Sequence, residues 1–486
     1  MRRAWWVLAW GVAVSLGVAY ALLPRDAFGV CASCASGGDT FYVATNGLDS
    51  RSCATAQTIT TPKLTIGSAL TCAVADHADV INVDNGTYTQ YLHDTTHNSI
   101  TAVTFPIATS WAGAVTIRAR NNRQAIIAPT YVVGSNAIIE FKKTGASPSA
   151  YVIFDGIVVD GTSYRAQSNG NIDQGGLYCY GPNHHIRFAN GTIHDTAGQG
   201  AINNTQRDAG VYGSERCNGL EVLNSTIYNQ GSTNPLGVSG ANVTYGHGIY
   251  CSADDCVLTG NEIYNTAGWG IHVYKNGSQG PPPLRAIVTK NYVHHNAYLL
   301  QNNADGAIII AGHDATVYLN KVAFARNKGI AVNLNNVSNA YLAINTVCDV
   351  RGASTARGIW VGQWTVHTAV NNLVYLANPN LQNDIGSNVT LLTNFTSGDP
   401  LLVSGCNDMH LQATSPAGSG GTNLAARFTA DVGGTAIITW MKGAYTIAAT
   451  ALPLYLGFDA PPVSNVVINT ALTDIVVGVY DTGTIL

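Results

Sequence analysis

The chain has 486 residues, 24 Lys and Arg against 28 Asp and Glu, a formal net charge of -4 and a pI near 6.3. No basic run follows the first few residues, so the sequence lacks the electrostatic footprint of a nucleic-acid-binding protein. Charged residues make up only 11%, Gly numbers 51, and Glu occurs only as Glu140, Glu215, Glu221 and Glu262, a composition that starves helices and suits short strands and tight turns.

The amino terminus carries Arg2-Arg3, an apolar run over residues 4–23 and the small-x-small triplet Ala19-Tyr20-Ala21, the layout of a secretory signal peptide. The run is also long enough to span a bilayer, so an uncleaved membrane tether is the alternative. Either reading places the body of the chain in an extracytoplasmic compartment. There, the 10 cysteines favour disulfides over metal sites. Cys31 and Cys34 form a lone CxxC without a nearby ligand His, which argues against zinc. Cys53 and Cys72 bracket a short unit and are expected to pair, and among Cys179, Cys217, Cys251 and Cys256 a bridge from Cys217 to Cys251 or Cys256 is expected.

Phe41-Tyr42-Val43 and Val80-Ile81-Asn82-Val83 read as strands, and residues 65–75 as a short helix with Ile66, Leu70 and Ala73 at helical spacing. Further strands follow at residues 115–119, 137–141 and 151–161. Then a register becomes countable. Gly176-Leu-Tyr178, Gly210-Val-Tyr212, Gly248-Ile-Tyr250, Gly270-Ile-His272, Gly306-Ala-Ile308, Gly329-Ile-Ala331 and Gly358-Ile-Trp360 each open a unit. Within each unit a second marker begins at Asn190, Asn224, Asn261, Asn291, Asn320, Asn345 or Asn371. Two markers recurring together describe the coils of a solenoid, in which each coil buries itself against its neighbours. The aliphatic after each glycine is expected inside and the next residue outside, with the Asn side chains stacked as an amide ladder. As buried ladder members, Asn190, Asn224 and Asn336 are discounted as glycan acceptors despite their N-x-S/T triplets.

The opening unit matches Y-V-x-x-x-G-x-D at Tyr42 to Asp49, T-P-x-x-T-I at Thr61 to Ile66 and G-T-Y at Gly86 to Tyr88; near the other end stand Asp399-Pro-Leu and His410-Leu-Gln-x-x-Ser-Pro-Ala417. On these residues the chain resembles the secreted right-handed parallel β-helix proteins of the pectate-lyase-like superfamily. The resemblance implies an all-β solenoid over residues 111–417. An amino-terminal cap with a helix and the first coil would occupy residues 37–110, and a β-rich cap and tail residues 418–486.

Side by side, the outward residues of the first strand are Tyr178, Tyr212, Tyr250, His272, Ile308, Ala331 and Trp360, with Tyr180, Tyr274 and Lys275 further along. Just before the glycines stand Asp208, His247, Trp269, Asp305, Lys328 and Arg357. Rings beside hydrogen-bonding and charged groups suit a sugar chain, whose C–H faces pack on aromatic rings. Cross-strand pairing of outward rings for stability is the competing explanation. The insertions at residues 196–208, 231–246 and 276–285 place the binding face in the middle coils.

The resemblance implies carbohydrate processing, and the substrate expected here is an acidic polysaccharide bound by a monomer. For β-elimination, His247, His272, Lys275 and Lys328 are candidate bases, while Arg357, or Ca²⁺ held by Asp208 and Asp305, neutralises the sugar carboxylate. For epimerisation, His247 works with Tyr250 or Tyr274. Hydrolysis needs two flanking carboxylates, which only Asp173, Asp208 and Asp305 offer. The second class is a non-catalytic adhesion or carbohydrate-binding module using the same face.

Overall fold

A computed structural model describes residues 38–447, apart from 97–99, 131–136, 144–147, 164–174, 197–199, 204–216, 232–245, 276–280, 298–305, 333–336, 353–355, 363–366 and 384–388. The expected signal segment or tether, Cys31, Cys34, Asn336 and the tail beyond residue 447 lie outside the described residues. No described helix is long and apolar enough to cross a membrane.

The strands form three long parallel sheets. Among the described residues, sheet A has 12 strands, from Thr40–Val43 to Val389–Leu392; sheet B has 10, from Gly86–Tyr88 to Leu373–Tyr375; sheet C has 10, from Leu92–His93 to Leu381–Asn383. Each circuit gives one strand to A, one to B and one to C, and the next circuit pairs with it in parallel one rung along the axis. This is the expected right-handed parallel β-helix. Inward columns such as Phe154, Phe188, Val222 and Leu258 in A, Val159, Ile193, Ile227 and Ile263 in B, and Ile139, Leu177, Ile249 and Ile271 in C are fully buried in one continuous core. Such near-uninterrupted aliphatic columns are what strands closed on a common interior require.

The repeating glycine has a steric cause. It sits at the corner where the chain enters sheet C. A Cβ on Gly248 would stand 2.5 Å from Ile263 Cγ2, and one on Gly270 2.4 Å from Val293 Cγ1. Two coils depart from the expected register. Ile271 pairs with Ile308 and His272 with Ile309, so Ile308 points inward and Ile309 holds the outward position. The Gly306 coil is displaced by one residue because Ala307, fully buried, takes the corner place. Between the strands of Tyr178 and Tyr250, sheet C contains Gly200–Asn203, with Asn203 paired to Tyr250, and the opening expected at Gly210 lies outside the described residues.

The amide ladder runs along the A-to-B turn. Asn261 Nδ2 donates to Asn291 Oδ1 at 3.0 Å, Asn291 to Asn320 at 3.0 Å, Asn320 to Asn345 at 3.0 Å, Asn345 to Asn372 at 2.9 Å and Asn372 to Asn394 at 2.9 Å. Each acceptor oxygen also takes the backbone N–H of the preceding ladder residue, so these amides are buried at little cost. Asn190, Asn224 and Asn371 are not rungs. They lie one residue earlier, where the turn passes through positive φ, which Asn tolerates. Asn190 and Asn224 are therefore half-buried, and the burial argument against their triplets does not hold.

The amino-terminal helix is Ile66–Leu70, shorter than residues 65–75, with Thr65 accepting the Ser68 N–H as its cap. Beyond it the chain continues in tighter turns, Cys72 N–H donating to the Ala69 carbonyl and Ala73 N–H to that of Leu70, before passing through positive φ at Asp76 and Ala78. Ile66, Ala69 and Leu70 join the core beside the first strands. Cys53 pairs with Cys72 as expected. Cys217 pairs instead with Cys179, and Cys251 with Cys256, which closes the short C-to-A connection of one coil. A fourth bridge joins Cys348 to Cys406. The four disulfides among the described residues fit an oxidising, extracytoplasmic compartment.

After the last ladders comes a hairpin, Leu402–Cys406 with Asp408–Leu411, and then an irregular stretch to residue 447. This segment folds back over two of the three outer faces. Met409, Leu411 and Met441 cluster with Ala323, Cys348 and Leu373 of sheet B, while Phe428 clusters with Leu319, Ala343 and Val370 beside sheet A. Neither cluster includes a sheet C side chain.

Candidate functional site

Two outer faces carry rows of rings. On sheet B, His194, Tyr228, Tyr264 and His294 stack at centroid spacings of 5.0, 5.1 and 5.0 Å and within 9° of parallel. Their faces are occupied by one another, so this row braces the sheet and offers ring edges to solvent.

Sheet C differs. Its outward row runs His93, Glu140, Tyr178, Tyr250, His272, Ile309, Ala331, Trp360 and Gln382, with the backbone of Asn203 on the rung between Tyr178 and Tyr250. His272 lies among four rings: His247 at 4.2 Å, Tyr250 at 4.5 Å, Tyr274 at 5.0 Å and Trp269 at 6.4 Å. Towards the carboxyl end, Lys328 Nζ lies between indoles, 5.9 Å from the Trp269 ring centre and 5.4 Å from that of Trp360, and the Arg357 guanidinium lies 4.4 Å over Trp360. Arg357 also donates to Gln382 Oε1. The expected His247, Tyr250, Trp269, His272, Tyr274, Lys328, Arg357 and Trp360 are thus brought onto one face, with Lys275 at its margin. Tyr178 is two rungs from Tyr250 on the same row. Tyr212, Asp173, Asp208 and Asp305 lie outside the described residues, and with them the expected calcium ligands. Among the described residues the one carboxylate–imidazole group within reach of a shared ion is Asp39, His77 and Asp79. There the Asp79 oxygens already accept the Asp39 and Val74 N–H groups, an arrangement that ties a turn.

The central side chains are more shielded than surface residues of a groove. His247 is 2% exposed and its Nδ1 accepts the Trp269 N–H at 2.9 Å. Burial lowers its pKa to about 3, so it is neutral and acts as a prop. Burial, reinforced by His247, also drives His272 well below the usual imidazole range, and His272 Nδ1 has no hydrogen-bond partner. The Tyr250 hydroxyl donates to the Lys275 carbonyl at 2.9 Å.

At the amino-terminal end of the same row lies a group missed from the sequence. Glu140 and His93 are both fully buried, with His93 Nδ1 3.5 Å from Glu140 Oε2 and Lys142 Nζ 3.6 Å from Oε1. Neither carboxyl oxygen has a hydrogen bond. Desolvation pushes the Glu140 pKa up to about 7; Lys142 opposes the shift and Asp94 adds to it. The signal was present in Leu92-His93 and Ile139-Glu140-Phe141, where a titratable residue follows an inward aliphatic, but these coils precede the glycine marker.

No family model and no curated protein sequence matches the chain. Among solved structures, pectate lyase Pel9A is similar at a TM-score of 0.51 and 16% identity, over 86% of this chain and 98% of its own. A rhamnogalacturonan lyase aligns at 0.43 and 14%, over 74% and 88%, and the A-module of the Azotobacter vinelandii mannuronan C-5 epimerase AlgE6 at 0.35 and 13%, over 66% and 91%. At 16% identity the Pel9A likeness speaks for fold alone: the chain is a right-handed parallel β-helix protein.

Proposed function

We propose that the outer face of sheet C binds an acidic, uronate-containing polysaccharide and acts on it by β-elimination or epimerisation. The observation that carries this reading is the row itself: Trp269, His272 and Tyr274 lie near-parallel, and Lys328 and Arg357 sit over the adjoining indoles. Tyr274 and Trp360, the half-buried rings of the row, receive the C–H faces of sugars and Arg357 on Trp360 offsets carboxylates, while the buried Trp269 and Lys328 support them from beneath. Sheets A and B are partly covered by the carboxyl-terminal segment, which favours sheet C as the working face. Within the centre, the half-buried His272 ring packs beside the sugar, while His247, stacked on it at 4.2 Å, holds the ring in place.

A second reading, binding without chemistry, is favoured by one fact: both central imidazoles are held neutral far below their ordinary range, which weakens them as bases. Incubation with a panel of uronate polymers, with and without calcium, separates the two. Unsaturated ends seen by absorbance, or altered uronate configuration seen by NMR, are expected. Retention on a polymer with neither change supports the binder, and neither retention nor change sinks both readings.

A further inference from the structure

Elsewhere on the solenoid, neighbouring rungs bring a cation against a carboxylate. In sheet A, Arg118 stands beside Asp155 and meets it at 3.0 Å, and Arg187 stands beside Glu221 and meets it at 2.8 Å. At a turn, Arg285 meets Asp255 at 2.7 Å. The two coils that hold Lys321–Arg326 with Lys328–Val332, and Thr346–Arg351 with Arg357–Val361, do the opposite. Arg326 is in register with Arg351 on sheet B, and Lys328 with Arg357 on sheet C. Like charges side by side on strands about 4.8 Å apart oppose folding, so two such pairs on the same two coils call for a counter-charge. The chain supplies little of it: between Asp314 and Asp384 its one acidic residue is Asp349. Asp349 accepts from Nε and Nη2 of Arg351, yet 73% of the Arg351 side chain stays exposed, and a guanidinium has further N–H groups to donate.

The four cations flank one corner. Arg326 and Lys328 are separated only by Asn327, which has positive φ, where the chain turns from sheet B into sheet C. The Asn327 N–H donates to the Arg351 carbonyl and the Arg357 N–H to the Asn327 carbonyl, both at 2.7 Å, which ties the corners of the two coils together. Lys321, the other cation of these strands, donates to the Tyr445 hydroxyl at 3.0 Å and is taken up by the carboxyl-terminal segment.

We infer that Arg326 and Arg351 carry the anion-binding surface of sheet C round this corner and make the face selective for polymers with acidic groups on consecutive sugars. The inference rests on the reading of sheet C as a polysaccharide face. Arg357, half-buried over Trp360, takes one carboxylate beside the ring on which a sugar packs, and the corner arginines take the next. A polymer with isolated acidic groups relieves one side of the corner and leaves the other repulsive.

The test titrates the full chain with polygalacturonate and polymannuronate, each free and partly methyl-esterified, at several salt concentrations, with melting measured alongside. R326Q/R351Q should bind the free polymers on the order of tenfold more weakly at low salt, with a shallower salt dependence and less discrimination against the esterified forms. Its melting temperature should be equal or higher, because like-charge repulsion is removed. Asp349→Asn, which releases the Arg351 guanidinium, should tighten binding, an effect of opposite sign that unfolding does not produce. Affinity, salt dependence and discrimination equal to wild type in R326Q/R351Q overturn the inference and, since the wild type binds, leave the polysaccharide reading standing. Weaker binding with a lowered melting temperature, and no tightening in D349N, assigns the arginines a structural role and also overturns it. A wild type that binds neither polymer removes the reading of sheet C and this inference together.

Discussion

The His247–His272 pair and the His93–Glu140 pair lie on the outer face of the same sheet, His272 four rungs from Glu140 or about 19 Å along the axis. Burial acts on the two in opposite directions. It strips the imidazoles of their proton throughout the physiological range, and it holds a proton on the carboxyl group up to about neutrality. Burial thus makes the first pair a neutral hydrogen-bonding floor and the second a group whose protonation changes near pH 7. A histidine is therefore not the better base merely because its free pKa is near neutral; the environment decides.

The largest expected effect that bears on this contrast is on stability. The Glu140 pKa rises from 4.5 unfolded to about 7 folded, so the native state binds more protons in that window and stability falls as pH rises through it. Relative to E140Q, the wild type should lose roughly 3 kcal/mol between the two limits, measured by denaturant titration at each pH. His247 titrates with the opposite sign. Its folded value of about 3 lies below 6.5, so stability is lost as pH falls through that range, and His247→Asn, which keeps an acceptor for the Trp269 N–H, should flatten the acid limb. Matching pH slopes in wild type and both variants would erase the distinction.

Smaller effects sharpen it. Asn291→Ala breaks the ladder at mid-run and strands the Asn261 donors, at an expected cost of roughly 1–3 kcal/mol by chemical denaturation. The double variant K328A/R357A should bind polyuronate on the order of tenfold more weakly, and less so at high salt, without altering melting at neutral pH as E140Q does. Tyr264→Phe keeps the stacked row on sheet B and should change stability by less than about 0.5 kcal/mol and binding not at all.

The solenoid was legible because its causes are periodic. A corner that admits no Cβ demands Gly248 and Gly270, and a buried amide chain demands Asn at each turn from Asn261 to Asn345. Where a coil meets the same need with another residue, as Ala307 does at the corner, the marker slipped by one and Ile308 was placed outside. The Cys179–Cys217 bridge depends on which coils lie adjacent, which the strand at Gly200–Asn203 had obscured, whereas Cys251–Cys256 closes a connection within one coil. The aromatic and cationic residues of sheet C followed from the register, but their degree of burial did not. Alternation gives direction only, so His247 read as a surface base although it is 2% exposed. Glu140 escaped because its coil carries no glycine marker.

The most direct measurement of where the sugar chain lies uses the tryptophans as reporters. Trp269 and Trp360 stand on sheet C, while Trp111 packs against Tyr151 and under Arg187 on sheet A. Titration with a uronate oligosaccharide should change the intrinsic fluorescence of the wild type and of W111F alike, and leave W269F/W360F unchanged. A response that survives in W269F/W360F and disappears in W111F would place the ligand on another face and contradict the account.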